Sequence, residues 1–227
     1  MIQIKMIRKK LPTSVYFSSI EDSNFSKHWL QKLESYPPSI IKHCLKFIKE
    51  ADQQRRFLGY WLLEQHLLDN AFEPSLLLLD SILRDKTQKP HFAKYSELNF
   101  SLSYSGEIAI CAISNQSIGI DIEKINPEIN LEHYKTMFSS EAWSAINSAA
   151  DPIISFFTYW TQMEAVMKAD GQGISGATNQ IIFGNNTISF KNIERELLYI
   201  PTFDGYMAHF VGKDTKDTRI KRKYFNL

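Results

Sequence analysis

Residues 117–124 read Ser117-Ile118-Gly119-Ile120-Asp121-Ile122-Glu123-Lys124. The isoleucines at every second position predict a strand with one apolar face. Asp121 and Glu123 are two residues apart, so on a strand they leave from the same side. Two carboxylates side by side in an apolar stretch repel each other and lose hydration. A hard divalent cation with oxygen ligands is the simplest group to place between them. The plainer reading is an edge strand with a solvated charged face. The metal reading needs a third ligand from elsewhere in the chain.

The rest of the sequence narrows the class. The chain has 227 residues, 44% of them hydrophobic and 22% charged, an ordinary globular balance. A formal net charge of +1 gives no field that would steer it to nucleic acid or an anionic membrane, and neither is expected as a partner. Cys44 and Cys111 fit no metal or redox spacing and read as buried apolar residues. The N-terminal residues carry no long apolar run, so no signal peptide is expected, and nothing approaches the ~20 residues of a membrane span. A cytoplasmic protein follows.

In chain order, Met1 to Met6 and Ser14 to Phe17 alternate as short strands. Ser23 or Asn24 is expected to cap a helix carrying Phe25, Trp29 and Leu33, which Pro37-Pro38 stops. A second helix should bury Ile41, Leu45 and Ile48. A third, from about Asp52 to Asp69, has an apolar stripe of Phe57, Leu58, Trp61, Leu62, Gln65 and Leu68. Arg55 and Arg56 then fall in its first turn, a poor place for cations unless an anion lies nearby. Pro74 begins a segment where Leu76 to Leu79 and Ile82-Leu83 read as buried helix or strand. Strands are expected over Asn99 to Ser103 and Ile108 to Ile113, with Ser105-Gly106 as the turn. Ser114 to Ser117 connects to the Asp-x-Glu strand. Ser139 or Ser140 should cap a helix containing Trp143 and Ile146. Asp151-Pro152 opens another that runs to about Ala169 and is ended by glycines. Short strands follow at Ile181 to Phe183, Thr187 to Phe190, Glu194 to Ile200 and Gly205 to Val211, and the basic tail Arg219 to Lys223 is expected to be mobile. Strands, helices and strands occur twice, which predicts an α+β protein of two similar halves, residues 1–115 and 116–227.

The helix after Asp151 supplies the third acid. Glu164 and Lys168 are four apart on one face. Such a pair is also the standard surface pairing, worth ~0.3–0.5 kcal/mol. Here its neighbours are Trp160, Met163 and Met167, so a mostly apolar helix carries two charges near its end.

Gly119-Ile120-Asp121-Ile122-Glu123, followed by Trp160-Thr161-Gln162-Met163-Glu164-Ala165-Val166-Met167-Lys168, resembles the paired signature of the 4′-phosphopantetheinyl transferases. That pattern is G-x-D-x-E and then W-(S/T)-x-K-E-(A/S)-x-x-K. Gln88-Lys89-Pro90 is similar to the family's G-K-P turn. Asn99 to Gly106 is similar to its F-N-(I/L)-S-H-S-G strand, Gly171-Gln172-Gly173-Ile174 to its G-x-G-(L/I), and Arg55-Arg56-Phe57-Leu58-Gly59 to its R-x-L-L-G helix. The resemblance runs from about Cys44 to Phe183. The chain departs from the pattern at Met163, where the family has Lys, and at Tyr104, where it has His.

The resemblance implies the surfactin-type group, a monomeric protein whose two α/β halves are related by a pseudo-twofold axis. It implies transfer of the phosphopantetheine arm of coenzyme A to a serine of an apo acyl or peptidyl carrier protein, with release of 3′,5′-ADP. It implies Mg²⁺, with Mn²⁺ as a substitute, on Asp121, Glu123 and Glu164. Glu164 would be the base, directly or through a water on the ion, and Lys168 would pair with the α- or β-phosphate. Arg55, Arg56, Lys89, Ser103 and Tyr104 would hold the 3′-phosphate of coenzyme A. The other reading is a coenzyme A-binding or interaction module of the same fold that has little or no activity.

Overall fold

The computed structural model describes residues 11–70, 75–86, 89–93, 95–171 and 178–225. The expected strand at Met1 to Met6, Pro74, Gln88, and Gly173 with Ile174 lie outside these. The first half of the order is β1 (Ser14–Ser19), α1 (Ser23–Leu33), α2 (Pro38–Leu45), α3 (Glu50–Asp69), α4 (Ser75–Asp80), β2 (Ile82–Arg84), β3 (Pro90–Phe92), β4 (Asn99–Ser105) and β5 (Ile108–Ser114). Then come β6 (Gly119–Lys124), α5 (Ser140–Ser148), α6 (Pro152–Asp170), β7 (Ile182–Phe183), β8 (Thr187–Phe190), β9 (Ile193–Tyr199), β10 (Tyr206–Gly212) and β11 (Arg219–Arg222). One sheet has the order β11-β1-β5-β4, a second β6-β10-β9-β8-β7, and β2-β3 form a separate hairpin. The protein is α+β.

The layers follow from which residues alternate. β5 is buried along its whole length. Its Ala109, Cys111 and Ile113 face the core under α1 to α4, and its Ile108, Ile110 and Ala112 face a core between the two sheets. A strand buried on both faces reads as a continuous apolar run, which is what Ile108 to Ile113 is. Ile118, Ile120 and Ile122 enter the same inter-sheet core beside Ala208 and Phe210. The opposite face of β6 lies under α6, whose Ala165, Val166 and Ala169 belong to the third core. Helices, sheet, sheet and helix therefore stack in that order, and the acids of β6 face α6 rather than water.

The two sheets meet edge to edge at β4 and β6 through serine hydroxyls. The Ser101 hydroxyl accepts from the Ile120 amide at 3.1 Å, and that of Ser105 from the Lys124 amide at 2.9 Å. An open strand edge leaves amides that need partners, and these side chains supply them.

Helix ends follow local chemistry. The Asp151 carboxylate accepts from the amides of Ile153 and Ile154 at 3.0 Å each, Pro152 sits at the first position, and Gly171 closes α6 with φ of 82°. Ser139 caps α5 by accepting from Ala142 at 3.2 Å. At α1 the cap is Asp22 rather than Ser23 or Asn24, its carboxylate accepting from the amides of Asn24 and Phe25. A carboxylate one residue earlier reaches the same orphan amides.

Four expectations fail for tertiary reasons. The buried edge of α2 is Ile40 and Cys44, while Leu45 and Ile48 are 43% and 101% exposed. The helix is two turns long, so Ile48 lies beyond it. α3 starts at Glu50, so its first turn holds Glu50 and Asp52, the acids a helix N-terminus favours, and Arg55 and Arg56 lie in the second turn. α3 is also buried almost all round from Phe57 to Leu67, with Leu68 partly exposed, because it is covered by α1, α2 and α4 on one side and by the first sheet on the other. The basic tail is not loose. β11 pairs in parallel with β1, Ser14 opposite Arg219 through Phe17 opposite Arg222. Beyond it Lys223 donates to Asp69 at 2.7 Å, and Phe225, 1% exposed, packs 5.1 Å from both Phe25 and Trp61. Exposed Lys and Arg on β11 suit a sheet edge, because they discourage further pairing.

Phe225→Ala should therefore cost ~3–5 kcal/mol, as for other buried aromatic truncations. A denaturant titration should show the whole chain unfolding at a lower midpoint. A change within ~0.5 kcal/mol, the range of a neutral surface substitution, is the opposite outcome.

Candidate functional site

The site is built where α6 lies on β6. Gly119 makes this possible: a Cβ there would fall on the Ala165 carbonyl oxygen and 2.6 Å from the Ala169 amide nitrogen, both backbone atoms. The absence of a side chain lets the last turns of the helix rest directly on the strand. Glu164 and Lys168 are thereby set beside Asp121 and Glu123.

Five of the residues singled out from the sequence come together here. The Lys168 ammonium donates to Asp121 Oδ1 at 2.7 Å and to Ser103 Oγ at 2.8 Å. Ser103 in turn donates to the same Asp121 oxygen at 2.7 Å. Asp121 is 3% exposed, and its Oδ2 is buried with no hydrogen-bond partner. Glu123 accepts from Ser105 at 2.7 Å, and the Trp160 side chain also favours its ionised form. Glu164 feels the charges of Asp121, Lys168 and Glu123.

The charges do not balance. Burial, and then the Asp121 carboxylate, push Glu164 up to about 7 against the pull of Lys168, and Glu123 adds to the rise. Glu123 is also held above the usual carboxylate range, first by burial and then by Asp121, although Ser105, Lys168 and Trp160 oppose this. Three carboxylates thus share one neighbouring ammonium. Among the described residues no group of three or more Asp, Glu, His or Cys side chains is arranged so that it could hold a metal ion. The chemistry of the donors nevertheless suits a hard divalent cation. They are all carboxylate oxygens, one of them is buried and unpartnered, and two of the acids are poorly neutralised.

The remaining candidates stand around this centre. Tyr104 leaves β4 on the side opposite Ser103. Its hydroxyl lies against Gly59 of α3, and the Arg56 guanidinium lies over its ring at 4.3 Å. Arg56 also lies 4.9 Å from the Phe47 ring. Arg55 has a local acid partner that the sequence reading did not expect: it pairs with Asp52 three residues back and donates to the Gly106 carbonyl in the β4–β5 turn. Lys89 reaches the far end of α6, donating to the Ala169 carbonyl at 3.2 Å, and burial lowers its pKa. Met163 is fully buried in the core beneath α6, on the face turned from the acids.

Sequence reasoning missed Ser105 and Trp160, which both hold Glu123. The alternation Ser101-x-Ser103-x-Ser105 was a usable signal, since every second residue of a strand faces one way. It also missed His209, which lies opposite Asp121 on β10. Its imidazole is bonded to Thr161 Oγ1 at 2.8 Å, and burial lowers its pKa to about 4, so it sits neutral under α6.

Comparison with known proteins bears on these same residues. The sequence model of the 4′-phosphopantetheinyl transferase superfamily matches residues 117–215, which contain β6 and α6. The chain is 29% identical to the 4′-phosphopantetheinyl transferase gsp of Aneurinibacillus migulanus, over 89% of this chain and 83% of that protein. It is 32% identical to the 4′-phosphopantetheinyl transferase Sfp of Bacillus subtilis, over 61% of each. A Haemophilus influenzae protein that bears the 4′-phosphopantetheinyl transferase name provisionally is 31% identical over 81% of this chain and 83% of its own length.

The raised Glu164 pKa has a testable sign. The folded state binds the proton more tightly than the unfolded chain, so the stability this gives is fully present below about 4.5 and is lost as pH rises through about 7. Glu164→Gln should raise the melting temperature of the metal-free protein at pH 8 and change it little at pH 5. An equal effect of the substitution at both pH values would contradict the electrostatics described.

Proposed function

The chain belongs to the 4′-phosphopantetheinyl transferase superfamily, and we propose that it moves the 4′-phosphopantetheine arm of coenzyme A to a serine hydroxyl of an apo acyl or peptidyl carrier protein. The observation that carries this reading is the buried meeting of Asp121, Glu123, Glu164 and Lys168 inside the segment that the family shares. The reaction forms a bond between the serine oxygen and the phosphorus that bears the pantetheine arm. It breaks the bond from that phosphorus to the bridging oxygen, which leaves with 3′,5′-ADP.

Asp121, Glu123 and Glu164 would hold Mg²⁺, or Mn²⁺ in its place. The ion supplies charge neutralisation at the diphosphate, whose oxygens otherwise repel the incoming nucleophile. Lys168 pairs with a diphosphate oxygen as a point charge. Glu164 takes the serine proton as a positioned carboxylate base. Ser103 orients Asp121 and Lys168 through one hydroxyl. Arg55, Arg56 and Lys89 hold the 3′-phosphate, with the Tyr104 ring supporting the Arg56 guanidinium. Arg55 does so with the part of its five-donor fork left over from Asp52 and the Gly106 carbonyl.

On this reading coenzyme A would lie between two halves, residues 1–115 and 116–227, joined by the polar connector Ser114 to Ser117. The return of β11 to the first sheet ties the halves together. A cytoplasmic monomer goes with this reading. Among the described residues no helix is long and apolar enough to cross a membrane.

Incubation with coenzyme A, Mg²⁺ and a panel of apo carriers should add the phosphopantetheine mass to a carrier serine and release an equal amount of 3′,5′-ADP. Glu164→Gln should slow this by ~10²–10⁴-fold, the usual contribution of a positioned base. No carrier modified above the Glu164→Gln background would rule the proposal out.

Substitution at Lys89 or Arg55 by Gln should weaken coenzyme A more than dephospho-coenzyme A. Equal weakening of both ligands removes these residues from the 3′-phosphate.

Met163→Lys, which brings the family's residue to this position, should lower stability rather than raise turnover, because it drives an ammonium into the core. Faster turnover by a variant of unchanged melting temperature is the contrary result.

A further inference from the structure

The acids already have a cation. Lys168 donates to Asp121 Oδ1 at 2.7 Å, and among the charges acting on Glu123 and Glu164 it is the one that opposes their repulsion. The two partners are held very differently. The Asp121 side chain is 4% exposed and fixed by Ser103, while that of Lys168 is 30% exposed and reaches in from the open side on a flexible four-carbon stem. The ammonium uses one oxygen of Asp121 and leaves Oδ2 buried without a partner, so this contact neutralises the site incompletely. A divalent ion on the same carboxylate would stand far closer to the ammonium than the ~8 Å over which salt screens charge. The two cations therefore oppose each other there.

We propose that Lys168 is a displaceable stand-in for the divalent cation: its ammonium holds Asp121 while coenzyme A is absent, keeps metal affinity low, and moves to the diphosphate when coenzyme A binds. This rests on the metal and diphosphate roles proposed above. Metal and coenzyme A are then coupled through one side chain, and linkage makes the coupling reciprocal: each ligand strengthens the other by the same factor. The free protein resists loading with metal alone, and the acids are released for it when the substrate arrives.

The probe is Mn²⁺, titrated into the protein while the signal of the free ion is followed, with and without saturating coenzyme A. Without coenzyme A, Lys168→Gln and Lys168→Met should each bind Mn²⁺ at least about tenfold more tightly than the unaltered protein, whereas Lys168→Arg, which keeps the charge, should bind like it. With coenzyme A present, the gap between the unaltered protein and the neutral variants should close. Thermal unfolding of each variant establishes that it is folded, and either neutral variant suffices. Equal Mn²⁺ affinity in the unaltered protein and a folded neutral variant, or a gap that coenzyme A leaves unchanged, overturns this inference and leaves the metal site standing. Failure of every protein to bind Mn²⁺ under either condition overturns both.

Discussion

The joint between β4 and β6 is the constraint on which the site depends. Two sheet edges meet there without a backbone ladder, and three serine side chains stand in for it. Ser101 and Ser105 satisfy amides of β6, and Ser103, between them, is turned to Asp121. A hydroxyl donates once and accepts twice, so it can bond a carboxylate and an ammonium together, as Ser103 does. The same contacts thus unite the sheets and orient the charged groups. An alanine in this series would loosen the joint and leave a buried polar group unpaired, which costs more than the bond it removes.

On this joint the charges are assembled from two directions. β6 presents two acids from a strand whose other face is locked into the inter-sheet core by Ile118, Ile120 and Ile122. α6 brings one acid and one ammonium, at a height fixed by the bare backbone of Gly119. Its other face is anchored by Met163, Val166 and Met167. Neither element can shift without disturbing a core, and this rigidity sustains three carboxylates at close quarters. The burial that chiefly raises Glu164, and the repulsion by Asp121 and Glu123 that adds to it, are held in the folded protein until a cation or a proton relieves them.

The strand at Ile118 to Glu123 was legible because its two faces go to different environments and the alternation records both. α6 was legible because Asp151, Pro152 and Gly171 are caps whose chemistry is local. Of the residues that meet on β6 and α6, Asp121 and Glu123 were singled out by their spacing on a strand, and Glu164 and Lys168 by their place on a mostly apolar helix and by resemblance to the family signature. What could not be read depends on contacts remote in sequence. α2 presents two plausible apolar edges, and only the position of α3 selects Ile40 and Cys44. The direction of Tyr104 was fixed once Ser103 faced Asp121, since neighbours on a strand point apart. Arg55 was placed one turn too early because the start of α3 was set two residues late. The tail was read from its charge, and Phe225, which fastens it, follows Tyr224 without an apolar periodicity around the pair.

The return of β11 to β1 has a consequence for how the protein is made. β1 leaves the ribosome long before β11, yet its outer edge and the aromatic pocket beneath it, at Phe25 and Trp61, are closed by residues 219–225. Until those residues have been synthesised the amino-terminal half exposes an unpaired edge and an open apolar hole, both attractive to other chains. Contacts this far apart in sequence also delay closure. From the synthesis of β1 until that of β11 the nascent chain is therefore unable to finish its first sheet, and that interval, rather than the mature surface, is when a holding chaperone matters most.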